Sequence, residues 1–97
     1  MHLDKAKKRI AKHISKDFHG YPHITLAYFG TTAECASEVV VQFVAAEGEA
    51  AQEQRFASTQ DARQDETIQS VLLKIIERAG AKTVIQQPGV AILAPGR

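Results

Sequence analysis

The sequence has no tryptophan, one methionine and a single cysteine, Cys35, so neither an internal disulfide nor a cysteine-based metal framework can hold the fold together. Long apolar runs are missing as well. Nothing approaches the roughly 20 residues that span a bilayer, and the first residues are charged and helix-patterned, unlike a signal peptide. The six glycines lie singly at turns rather than in a phosphate-cradling loop. No large excess of one charge exists: the net value of +1 argues against a surface built throughout for nucleic acid or anionic lipid. These absences lead us to expect one cytoplasmic domain over residues 1–97, with no membrane contact and no cofactor.

The apolar fraction of 44% and the charged fraction of 24% are those of an ordinary globular chain. At 97 residues one core can bury something over ~60% of the unfolded surface. Charge is unevenly placed. Residues 1–30 carry Lys5, Lys7, Lys8, Arg9, Lys12 and Lys16 against Asp4 and Asp17, while residues 31–69 carry eight acids against Arg55 and Arg63. A basic end therefore precedes an acidic middle, either as solvated faces that compensate one another or as a docking surface.

Leu3, Ala6, Ile10, Ile14 and Phe18 recur at three- and four-residue spacing and predict a helix to Phe18, stopped by Gly20 and Pro22. His23 to Phe29 reads as a strand. Thr31 to Glu34 has capping-box spacing and predicts a single helical turn carrying Cys35. Val39 to Ala46 is a second strand, apolar on both faces, joined through Glu47-Gly48-Glu49 to a polar edge strand at Gln52 to Ser58. Ile68, Val71, Leu72, Ile75, Ile76 and Ala79 mark a second helix, with Gly80 as its C′ residue. Thr83–Gln86 and Val90–Ala94 predict two short strands broken by Pro88-Gly89. The fold class is α+β: a two-layer sandwich with a mainly antiparallel sheet of about five strands and two long helices.

The sharpest chemical signal is HITLAYFG, His23 to Gly30. Side chains alternate along a strand, so His23 and Thr25 share a face. This stretch resembles the H-x-T motif of the 2H phosphoesterases, which implies a histidine and a threonine gripping the phosphate of a cyclic diester. That family faces two such pairs across its site, one histidine acting as base and the other as acid. Here the second pair is missing. His13-Ile14-Ser15 matches the letters, but it lies in a helical pattern, where residues two apart point in different directions. The competing reading of His23 is a strand residue whose ring bonds a backbone carbonyl.

Other chemistry finds less support. His19 and His23 have a spacing that would bind metal on a helix, which Gly20 and Pro22 oppose, so no metal site is expected. Cys35 stands beside Glu34, which disfavours a thiolate. Asp61, Asp65 and Glu66 sit at or before the second helix, where carboxylates accept orphan amide protons. Lys5, Lys8, Arg9, Lys12 and Lys16 could contact phosphates, yet no aromatic residues are interleaved to stack bases.

The expected function is a small non-catalytic interaction or regulatory module. The first alternative is a reduced phosphoesterase-like enzyme using His23 and Thr25. The second is weak, sequence-independent nucleic-acid binding through the five basic residues just named. The strand Val39 to Ala46 adds a structural expectation, because a sheet with one wet face should alternate apolar and polar residues. Val40 and Val44, with Leu73 off its helix stripe, leave an apolar excess. Helices on opposite faces of the sheet could bury it; a homodimer would bury it equally and is the expectation, with Val40, Val44 and Leu73 at the interface.

Overall fold

The computed structural model describes residues 2–92. Its elements are α1 (Leu3–His13), β1 (His23–Gly30), β2 (Glu38–Val44), β3 (Gln52–Ala57), a 3-10 turn (Ala62–Gln64), α2 (Glu66–Ala79) and β4 (Thr83–Ile92). The fold is α+β, as the periodicities imply, but the sheet has four strands rather than about five, in the order β3-β2-β1-β4. It is also mixed: β2 runs antiparallel to both β1 and β3, whereas β4 runs parallel to β1.

The miscount lies at Pro88-Gly89. The two short strands expected there are one, carrying an irregularity between the Leu26–Gln86 and Tyr28–Val90 pairs. β4 is an edge strand with a single neighbour, so Pro88 can lack an amide proton without breaking a central ladder. Gly89 takes the positive φ of 66° that the irregularity requires. Leu93 and Ala94, expected to finish this segment, lie outside the described residues.

The first helix also ends early, at His13 instead of Phe18. Ile14 is already extended, and the Ser15 amide donates to the Val84 carbonyl of β4 at 2.7 Å, so a tertiary bond replaces the next helical one. Ile14 still packs against the core, but Phe18 is 53% exposed and stands edge-on to Tyr21 and His23. The expected helical turn after Gly30 is a tight reversal closed by a Thr32–Cys35 bridge.

Strand alternation sorts the sheet faces. Ile24, Leu26 and Tyr28 of β1 pair with Phe43, Val41 and Val39 of β2, and all six point to one side. Ile10 of α1 and Ile68, Leu72, Leu73 and Ile76 of α2 join that side in one core cluster. Both helices therefore cover the same face, which removes opposite-face helices as the means of burying the apolar excess. Leu73 is 1% exposed inside that core, not at the surface where an interface needs it. Its reason is the neighbouring helix: Gln69, Leu73 and Glu77 form a column one turn apart, and Glu77 is ion-paired to Arg9 of α1 at 2.6 Å. The buried arc of α2 is wider than one stripe because it meets a sheet and a helix at once.

Candidate functional site

Two surfaces gather functional side chains. The first is the sheet face away from the helices. His23, Thr25, Ala27 and Phe29 of β1 lie on it, beside Val44, Gln42, Val40 and Glu38 of β2. Thr83, Ile85 and Ala91 of β4 and Glu53, Arg55 and Ala57 of β3 complete the face. His23 Nε2 is 3.5 Å from Thr25 Oγ1, at the outer limit of a hydrogen bond, and the Phe18 ring stands edge-on to the imidazole. Sequence alternation thus places His23 and Thr25 together, as the strand pattern requires, and Val40 and Val44 share their face.

Val40 is 4% exposed even though no helix covers it and it stands outside the main core cluster. Its cross-strand neighbours are Ala27 and Arg55. Arg55 pairs with Glu38 at 2.9 Å and Glu53 at 3.5 Å, and its guanidinium lies 6.0 Å from the centre of the Phe29 ring. The charged residues at this end of the face are thereby tied to one another. Leu73 lies on the other side of the sheet, in the core.

The second surface is a cleft of about 750 Å³ between α1, α2 and the sheet. Lys7, Ile10 and Ala11 of α1, with Ile14 just past its end, form one wall. The rest of the lining comes from Tyr28 of β1, Gln69 of α2, Gln86 of β4 and Arg63 and Gln64 of the 3-10 turn, Tyr28 and Gln69 being the buried ones. Gln69 Nε2 donates to the Tyr28 hydroxyl at 2.9 Å and to the Ala62 carbonyl at 3.0 Å. Burial holds the Tyr28 phenol above its ordinary value, and the Gln69 hydrogen bond offsets part of that.

Arg63 is fixed beside the cleft by Asp61. Its Nε and Nη2 donate to the two carboxylate oxygens at 2.9 and 2.7 Å, and Nη2 also reaches the Glu34 carbonyl at 3.0 Å. This fork holds the Asp61 carboxyl down to about 2. Asp65 caps α2, accepting from the Ile68 amide at 3.1 Å and the Ser58 hydroxyl at 2.9 Å, and these bonds lower its carboxyl too.

Sequence reasoning missed Tyr28, Gln69 and Lys7 as a group. Gln69 in a helix and Tyr28 in a strand are far apart in the chain, and only their pairing across the core gives them a common address. A signal did exist in Lys7, which stands one turn before the buried Ile10 and shares its side of the helix. It is half-buried, whereas Lys5, Lys8, Arg9, Lys12 and Lys16 are exposed, and Arg9 is engaged by Glu77. Cys35 is exposed. Among the described residues no three His, Cys, Asp or Glu side chains gather as a metal site, and no helix is long and apolar enough to cross a membrane. Comparison of the chain with known protein families, curated proteins and solved structures finds no match.

Proposed function

We propose that this protein is a non-catalytic interaction module whose working surface is the open sheet face, and that the surface pairs with a second copy of the chain. The observation that carries the reading is the placement of both helices on one side of the sheet. It leaves Ala27, Phe29, Val44 and Ile85 half-buried on the other side, outside the helix-covered core, while the Thr83 end of that face is capped by the 18–20 segment, whose His19 amide donates to the Thr83 hydroxyl and whose Gly20 carbonyl accepts from it. A two-fold pairing of the face with itself would remove this apolar surface from water. Charge does not oppose it, because Glu38 and Glu53 are already engaged by Arg55 within each copy.

Mass measured by sedimentation or light scattering over a dilution series tests the proposal. The expected species is a dimer that Val44→Glu or Ile85→Glu converts into a folded monomer. A wild type that stays monomeric at high micromolar concentration defeats it.

One observation favours a phosphoesterase-like alternative: the His23 imidazole and Thr25 hydroxyl lie side by side on this same face. A single pair supplies one imidazole, which cannot serve as base and acid in the same displacement. Two copies joined through the face would supply two. The discriminating assay is hydrolysis of a 2′,3′-cyclic nucleotide. No turnover is the outcome expected of the interaction module; turnover that disappears in folded His23→Ala replaces the first reading with the second.

A further inference from the structure

The cleft between the two helices has no part in the sheet-face reading, and its chemistry is specific. We infer that it is a binding site for a small organic monoanion, a carboxylate with an apolar body, held with its charge toward Lys7 and its body along α1. At about 750 Å³ the cleft falls within the size range of small-molecule sites.

Each part of the ligand has a counterpart on the wall. Tyr28 is 5% exposed and lines the cleft, and its hydroxyl is held there beside Gln69, another lining residue. That oxygen accepts from Gln69, so the hydroxyl proton remains free to donate inward. The amide of Gln86 stands on the sheet side. Ile10, Ala11 and Ile14 supply the apolar wall. No aspartate or glutamate lines the cleft, and the repulsion that Asp61 exerts at Tyr28 is opposed by the attraction of its partner Arg63.

Charge balance selects one negative charge over two. Arg63 borders the cleft, but its charge is compensated by the fork to Asp61. Lys7 has no carboxylate partner among the described ion pairs and is held half-buried at the rim. One uncompensated cation and one buried hydroxyl donor suit a carboxylate. A phosphate dianion would bring a charge that the site does not balance.

Octanoate is the probe, titrated into the 97-residue protein by calorimetry, with octanamide as its neutral counterpart. Saturable binding of octanoate is expected, weaker by roughly tenfold in Lys7→Gln and again in Tyr28→Phe, a change of about 1.4 kcal/mol each. Octanamide should bind at least as weakly as octanoate binds Lys7→Gln. Ala11→Trp, at an exposed position on the wall, should fill the cleft and abolish binding while circular dichroism shows the fold retained. Absence of saturable octanoate binding overturns the inference, as does equal affinity for octanamide or binding that survives Ala11→Trp.

Discussion

At the scale of single residues, Tyr28 shows how one polar group is accommodated on a buried face. Its ring takes a core position among Ile24, Leu26 and Val39, and its hydroxyl is satisfied by Gln69, itself 3% exposed. Burial disfavours the phenolate and the Gln69 donor partly restores it, so removing the donor must push ionisation higher. The prediction is that ultraviolet titration of the folded protein shows a tyrosine ionising above its ordinary 10.0, and that Gln69→Leu moves it further up. The sign for stability follows: a phenol whose pKa is raised on folding contributes fully below about 10 and loses that contribution as pH climbs toward the folded value. With two tyrosines in the chain, the refuting outcome is that neither ionises above 10.0 in either protein, which would show that the Tyr28 hydroxyl is not buried as described. The alternation of β1 already assigns Tyr28 to the same face as Ile24 and Leu26. Its partner was illegible in the sequence, because a glutamine beside a helix stripe gives no sign of what it reaches.

At the scale of elements, two glycines end their segments for different reasons, and substitution separates them. Gly80 closes α2 in a left-handed conformation, φ 61° and ψ 36°, with nothing close to where a Cβ would project. Gly80→Ala should therefore cost only the backbone strain, about 1 kcal/mol. Gly30 ends β1 where the chain doubles back, and a Cβ there would run into the Cys35 carbonyl. Backbone must move to admit it, so Gly30→Ala should lower the chemical-denaturation midpoint well beyond Gly80→Ala; the reverse order would refute this account. The Gly80 stop was readable because helix signals are local: a stripe, a capping glycine, an aspartate before the first turn. The premature end of α1 was not readable, since the bond that ends it joins Ser15 to Val84, at the far side of the sequence from the helix. The same limit produced the five-strand expectation. Pro88-Gly89 is a turn pair by composition, and only its edge position beside β1 lets one strand run through it.

At the scale of the whole molecule, the acidic middle of the chain works as a tie between two connections that flank the core. The 31–37 segment follows β1 and the 58–65 segment precedes α2. The Ser58 amide donates to the Ser37 carbonyl at 2.8 Å and the Ala62 amide to the Ala36 carbonyl at 2.6 Å. Arg63 bridges the same two segments, joining Asp61 to the Glu34 carbonyl. The acidic run that reads from sequence as a helix start and a solvated surface thus also clamps one end of the sandwich. Its dependence on pH has a definite sign. The Asp61 carboxyl is lowered to about 2, chiefly by the Arg63 fork, and Asp65 is lowered by the Ile68 amide and Ser58. Groups depressed on folding stabilise the protein above their unfolded value of about 3.9 and lose that contribution as pH falls toward the folded one. The Asp61 side chain is only 19% exposed, so screening removes part of the effect rather than all of it. Asp61→Asn should accordingly be less stable than wild type by about 1–2 kcal/mol at pH 7. The gap should narrow below about pH 4 and close near the folded value. Urea denaturation of the two proteins at neutral and acid pH measures it; a gap that is constant with pH would mean that the Asp61 charge does not tie the segments together.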